Sequence, residues 1–443
     1  MKTPIADFVK KYAESGTSRF HMPGHKGRSV LGCEPLDITE ISGADVLYGA
    51  DGIIAESENY ASALFGSGHS FYSTEGSTLA IKAMLALIKK RSQGERTTVL
   101  AARNVHKAFV YACALLDIDA EWIYPEQFTH LCSCEVTPIT LESKLKAMPS
   151  LPAAVYVTSP DYLGNIADIA KLSDVCHAYG IPLLVDNAHG AYLAFTEPSL
   201  HPLALGADMC SDSAHKTLPV LTGGAYLHVS KNYPADEDEI RAALALFAST
   251  SPSYLILQSL DLCNEYLAGE YRAELKECIK RFDSIKKALA DRGIAVEQSE
   301  PLKLVLTKSK CSYSGEELAD ILREALIEPE FYDVDALVLM ATPSLTPTDF
   351  DRLEKALLSL EPKSDAGTEP PAPSVPERAL SIREAVFSAS ETIATSDSVG
   401  RICASPAVSC PPAVPIVMSG EIIDKRSAEL MLYYETEKIS VIK

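Results

Sequence analysis

The sequence predicts an α/β protein. A large domain is built on a mostly parallel sheet with helices over both faces, and a smaller α+β domain follows it. Three observations carry this. Short apolar runs that do not alternate, such as "AAVYVT" (153–158) and "IPLLVD" (181–186), have the composition of strands buried on both faces. Between such runs lie amphipathic helical stretches, so strand and helix alternate for roughly 200 residues, the pattern of a doubly covered sheet. After about residue 255 the texture changes to long helical patterns and then to isolated strands and helices.

Residues 1–50 form an N-terminal arm: a short helix, the loop "RFHMPGHKGR" and a polar connection. The large domain spans 51–295. Within it "STLAIKAMLALIKK" places Leu79, Met84, Leu85 and Ile88 at near-helical spacing. The strand-like "TTVLAA" precedes "ARNVHKAF". "DIAKLSDVCHAYG" is an amphipathic helix stopped by Gly180, and "ADMCSD" and "GAYLHV" are two further strands. Long helical patterns run from Leu255 to Arg292. The C-terminal domain, 296–443, contains the strands "KLVLT" and "DALVLMAT" and helices from Gly315 and near 348–360. A linker rich in proline and charge falls at about 362–378. Prolines exclude a helix from "SCPPAVPIVMSGEII".

The 443 residues are 47% hydrophobic and 23% charged, enough for a large core. A formal charge of −20 repels phosphate backbones and argues against nucleic acid as a partner. The eleven cysteines are scattered without zinc-ligand spacing, so no metal site is expected. The start lacks the apolar core of a signal peptide and no apolar run is long enough to span a bilayer. The expectation is a cytoplasmic protein with reduced thiols and no membrane partner.

In open α/β sheets ligands bind beyond the carboxyl ends of the strands. Four groups fall there. Gly76-Ser77-Thr78 precedes a helix, Asp186 ends a strand and leads into "NAHG", Ser213, His215 and Lys216 follow another strand, and His106 follows "TTVLAA". Each alone has an ordinary explanation, a helix N-cap or a satisfied polar residue. In this order they are far more specific, and Lys216 sits in an unusually small and polar setting for a surface lysine.

These residues resemble the fold-type I pyridoxal-phosphate (PLP) enzymes, and more narrowly the Orn/Lys/Arg decarboxylase family in its short form. "RFHMPGHKGR", "LDITEISGADVLY", "ALFGSGHSFYSTEGST", "ARNVHKAF", "VTSPDYLGNIADI", "IPLLVDNAHGA", "SAHKTLPVLTGGAYLH", "STSPSY" and "CPPAVPIVMSGEII" echo the family's blocks in order, across nearly the whole chain. The resemblance implies that Lys216 forms the Schiff base with PLP and that Asp186 keeps the pyridine nitrogen protonated. It implies that Gly76, Ser77, Thr78 and Ser213 hold the phosphate at a helix N-terminus. His106 would lie against the ring, His189 would orient Asp186, and His215 would contact phosphate or assist proton transfer. Ser251 or Ser253 would serve the phosphate of a neighbouring subunit, making the protein a homodimer or dimer-based oligomer. The implied activity is decarboxylation of arginine, lysine or ornithine to an amine of polyamine metabolism. Glu330, Glu421 and Asp161 are the candidate carboxylates for the substrate's distal cation.

The chain departs from the family pattern at several pocket positions. Glu75 stands where Asn is common, Ala108 where Ser is, Asp161 where Thr is, and Asn187 where Glu is. Ala214 replaces Thr or Ser, Gly223 replaces Gln, and Cys410 replaces Tyr. Two alternatives therefore stand beside the decarboxylase. One is another fold-type I enzyme, an aminotransferase or carbon–sulfur lyase, with Arg401 as its candidate carboxylate ligand. The other is a PLP-fold protein that has lost catalysis and acts in binding or regulation. A nucleotide-binding protein has neither Walker A nor GxGxxG to support it.

Overall fold

The computed structural model describes residues 2–92, 96–363, 370–406 and 412–443. Cys410, the start of the "CPPAVP" block and part of the predicted linker lie outside the described residues. The chain divides into two compact units, each made of two segments: Met1–Arg91 with Ile169–Glu274, and Ser92–Asp168 with Leu275–Lys443.

The first seven strands are β1 (His69–Ser73), β2 (Thr97–Ala102), β3 (Ile118–Ile123), β4 (Ala154–Thr158), β5 (Leu183–Asp186), β6 (Met209–Asp212) and β7 (Ala225–Val229). In the first unit the order is β1-β7-β6-β5. β5 and β6 are parallel, with Asp186 opposite Ser211, whereas β7 runs antiparallel to both β6 and β1. In the second unit β2 lies between β4 and β3, all parallel. Pairing is thus mostly parallel, as expected. The strands of "TTVLAA", "AAVYVT", "IPLLVD", "ADMCSD" and "GAYLHV" are where the sequence puts them, and all but the half-polar "ADMCSD" are mainly apolar, as strands buried on both faces are.

The helix Ser77–Arg91 buries Leu79, Met84, Leu85 and Ile88 and ends in Lys89, Lys90 and Arg91, cations that suit a helix C-terminus. The helix Pro4–Glu14 is capped from afar: Asp261 Oδ2 accepts the backbone N–H groups of Ile5 and Ala6, both at 2.9 Å.

The helical patterns expected from 255 to 292 are two helices, Tyr254–Ala268 and Tyr271–Asp291. Gly269 separates them, since a glycine interrupts a helix more cheaply than any residue but proline.

The second unit also holds two three-stranded sheets. β8 (Lys303–Thr307), β9 (Phe331–Tyr332) and β10 (Ala336–Met340) run in the order β8-β10-β9. β11 (Ser390–Ala394), β12 (Cys403–Ser405) and β13 (Lys438–Ile442) run β11-β13-β12. Ten free cysteines are described, of which Cys33 and Cys134 are half-buried and the other eight buried. No described helix is long and apolar enough to cross a membrane.

Candidate active site

In the first unit the turn after β1 leads directly into the helix Ser77–Arg91. Gly76 takes φ +70° there and its N–H donates to the Gly223 carbonyl at 2.7 Å. Gly223 has φ +98°, and a Cβ on it would lie 2.9 Å from the Thr74 carbonyl oxygen. Only glycine lets the two loops approach this closely. Ser213 Oγ donates to Ser77 Oγ at 2.8 Å, which leaves the Ser77 hydroxyl proton available for an anion. Thr78 lies in the same first helical turn, where backbone N–H groups lack intrahelical acceptors. Glu75 turns away from this corner: its Oε1 accepts the Ser249 N–H at 2.7 Å. Ser251 is exposed, and Ser253 caps the helix Tyr254–Ala268 by accepting from the Ile256 N–H.

Beyond β6 the chain makes a short helical turn, Ala214–Thr217, that presents Lys216. Its Nζ is 3.0 Å from His189 Nε2. His215 donates both its backbone N–H and Nδ1–H to the Gly224 carbonyl, at 3.1 and 2.9 Å. That bond assigns the proton of a neutral ring to Nδ1 and leaves Nε2 as an acceptor. Asp186 ends β5 and is 2% exposed. Its Oδ1 accepts from the Ala188 N–H at 3.3 Å and from Ser211 Oγ at 3.4 Å. Asp186, His189, Ser213, His215 and Lys216 thus all follow the carboxyl ends of the adjacent strands β5 and β6.

Next to them is a group that sequence reasoning missed. Asp212 is fully buried, with Asn187 Nδ2 donating to Oδ1 at 2.7 Å and His201 Nε2 lying 3.0 Å from Oδ2. His228 Nε2 is 3.4 Å from the same Oδ2. Burial pushes the Asp212 carboxyl up, but the two imidazoles outweigh it and hold the group well below the usual carboxylate range. Burial pushes His228 down, against the pull of Asp212. With Cys210, His201 and Asp212 form a cluster of three potential metal ligands. The sequence expectation of no metal site overlooked it, because His201 and Asp212 are eleven residues apart and follow no ligand spacing. The charged Asp212 at the end of a fully buried strand was the available signal.

The other candidates lie in the second unit. His106 caps the helix Lys107–Leu116, its Nδ1 accepting the Ala108 N–H at 3.1 Å. Asp161 is buried and accepts from Ser133 Oγ at 2.7 Å and from Asn165 N and Nδ2 at 3.0 and 2.8 Å. Glu421 is buried against Arg103, 3.0 Å away, and accepts the Met418 N–H at 2.7 Å. Glu330 is exposed and accepts from the Tyr162 hydroxyl at 2.7 Å. Arg401 is occupied by Glu391 and the Ile442 carbonyl.

The first unit's donor set fits PLP. A primary amine can condense with an aldehyde, a buried carboxylate can pair with a protonated pyridine nitrogen, and hydroxyls at a helix N-terminus can hold a phosphate. Sheet, helices and donor set define the class of fold-type I PLP-dependent enzymes. The model for "Orn/Lys/Arg decarboxylase, major domain" matches residues 3–312, and that for "Orn/Lys/Arg decarboxylase, C-terminal domain" matches residues 369–439. The chain belongs to the Orn/Lys/Arg decarboxylase family. It is 30% identical to the arginine decarboxylase of Bacillus subtilis (strain 168) over 458 residues, covering 96% of this chain and 92% of that one. Among solved structures it is similar to the Escherichia coli constitutive lysine decarboxylase (TM-score 0.79, 18% identity, 100% of this chain and 82% of that one). Lysine decarboxylase A of Pseudomonas aeruginosa is similar too (TM-score 0.81, 18% identity, 99% and 80%).

Proposed function

We propose that this protein is a PLP-dependent decarboxylase of a basic amino acid, with arginine as its first substrate. One observation carries the reading: the Lys216 amine lies 3.0 Å from His189, just beyond the strand ends that also carry the buried Asp186. The relatives matched over more than 90% of their length and named arginine decarboxylase favour arginine, although lysine and ornithine belong to the same family.

Bound PLP supplies an aldehyde for amines and a cationic ring that accepts the electron pair left at Cα when CO₂ departs. Asp186, buried from water, holds the ring's nitrogen proton by opposite charge. The Ser77–Ser213 hydroxyl pair and the helix N-terminus anchor the phosphate. His189 Nε2 accepts a proton from Lys216 Nζ, or returns one, without a bridging water. Lys216 and His215 are the candidate donors of the proton that replaces the lost carboxylate at Cα. The substrate's orientation decides which Cα bond breaks, so its distal cation must be held. Glu330 is our candidate for that contact, because Asp161 and Glu421 are buried in hydrogen bonds of their own. His106 we assign to the ring's face and Ser251 to a second subunit's phosphate, both on the family resemblance. Cytoplasmic location, a homodimer, polyamine synthesis, and division into 1–50, 51–295 and 296–443 belong to the same reading.

The aminotransferase alternative is not favoured, since Arg401 is already engaged by Glu391 and the backbone. The test is to incubate purified protein and PLP with arginine, lysine and ornithine separately and to measure CO₂ and amine. Release from none of the twenty common amino acids would refute the proposal.

A further inference from the structure

Asp212 is buried and its two carboxylate oxygens face two different chain segments. Along β5 and β6 side chains alternate between the sheet's faces. Asp186 and Ser211 share one face and meet at 3.4 Å, which puts Asn187 and Asp212 on the other. There Asn187 Nδ2 donates to Asp212 Oδ1 at 2.7 Å, beside a backbone bond from Asn187 N to the Ser211 carbonyl at 2.9 Å. Asn187 adjoins Asp186, and Asp212 precedes by four residues the lysine at 216. The opposite oxygen of Asp212 faces His201 at 3.0 Å and His228 at 3.4 Å. His228 is fixed in turn by Ser70 Oγ, 2.7 Å from its Nδ1.

We propose that Asp212 is a positioning residue for the coenzyme: it clamps the end of the strand bearing Asp186 to the turn bearing Lys216, and His201 holds the clamp from behind. The inference rests on the PLP reading above. The Asn187 amide donates to an Asp212 carboxylate, a charge-assisted bond stronger than one between two amides. In this chain the amide of the pair is Asn187 and the carboxylate is Asp212. The His201–Asp212 contact has ordinary hydrogen-bond length and needs no ion to complete it.

The test is titration of PLP into apoprotein, followed by fluorescence and by the visible circular dichroism of the bound coenzyme. Asp212→Asn removes the carboxylate's charge, so the bonds from Asn187 and His201 are no longer charge-assisted, and the weaker clamp lowers PLP affinity by about tenfold. The exchange Asn187→Asp with Asp212→Asn puts a carboxylate back into the pair and recovers most of the affinity. If Asp212→Asn does not fold, Asn187→Ser removes the clamp and leaves the His201 contact, with the same expected loss. Glu58→Gln breaks a buried ion pair with Arg241 and lowers stability, but leaves PLP affinity unchanged. Wild-type affinity and dichroism in both Asp212→Asn and Asn187→Ser would overturn the inference, as would an exchange variant no better than Asp212→Asn. One equivalent of a transition metal in the wild-type protein, absent from Asp212→Asn, would overturn it in favour of a metal site. Wild-type protein that takes up no PLP would overturn the functional reading and the clamp together.

Discussion

Asp161→Ala separates a structural carboxylate from a substrate ligand. Asp161 accepts three hydrogen bonds, from Ser133 Oγ and from Asn165 N and Nδ2, at 2.7 to 3.0 Å. Its own carbonyl accepts from Lys303 Nζ at 3.0 Å, which leaves the backbone anchor of this loop intact in the variant. Asn165 Nδ2 also reaches Ser133 Oγ at 2.8 Å, so one orphaned donor keeps an acceptor. The Ser133 hydroxyl and the Asn165 N–H lose theirs. Ser133 is half-buried and Asn165 exposed, so water replaces part of what they lose; at about 0.5–1 kcal/mol for each of the three hydrogen bonds, the variant loses about 2 kcal/mol. Unfolding entropy of about 2 cal/mol/K per residue converts this to a fall in Tm of about 2 °C for a chain of this length unfolding as one unit. Differential scanning fluorimetry with urea titration measures the loss, and steady-state decarboxylation measures KM. Unchanged stability, with a KM for arginine raised tenfold or more and kcat intact, would refute the reasoning and make Asp161 a ligand for the substrate's cation.

Lys216→Ala removes the amine that borohydride would trap with the coenzyme; the labelled active-site peptide should vanish and turnover should fall at least about a thousandfold. Retention of a trapped peptide elsewhere in the chain would displace Lys216 from its assigned role. Gly223→Ala forces a side chain into φ +98° and against the Thr74 carbonyl. Strain of about 1–2 kcal/mol should loosen the phosphate loop and weaken PLP binding by about tenfold, read by equilibrium dialysis. Burial pushes the Asp261 carboxyl up to about 6 from an ordinary 3.8, against the Ser57 hydroxyl and the Ile5 and Ala6 amides. The folded protein therefore holds this proton more tightly than the unfolded chain does. Stability from this group is present below pH 4 and is lost as pH rises through about 6. Urea unfolding across that range should show the decline in wild type and a flatter profile in Asp261→Asn; an identical slope would discount Asp261.

The parts of the fold that could be read in the sequence are those whose residues report burial directly. "AAVYVT" and "IPLLVD" read as strands because their Ala, Val, Leu and Tyr side chains are apolar and buried. β1 escaped notice because "HSFYS" mixes polar and aromatic residues, and its partner β7 is distant in sequence. The closing residues were harder still. The helix Lys425–Tyr433 and the sheet β11-β13-β12 have short, half-exposed elements whose partners lie up to fifty residues away. At the site, Lys216, Asp186 and the Gly76-Ser77-Thr78 turn were legible from residue type and place along a strand or helix. The Asn187–Asp212–His201 clamp was not. It depends on which face each side chain takes and on a histidine brought from a separate loop, neither of which follows a spacing rule.

The sheltered cysteines turn the chain into its own reporter. Cys176, Cys210 and Cys263 belong to the first unit and Cys113, Cys132, Cys278, Cys311 and Cys403 to the second. Burial raises the pKa of each, so under native conditions an alkylating reagent reacts only when a segment transiently opens. Mass-tagging rates at these eight positions, with and without coenzyme, would chart breathing motions segment by segment without introducing a single label site.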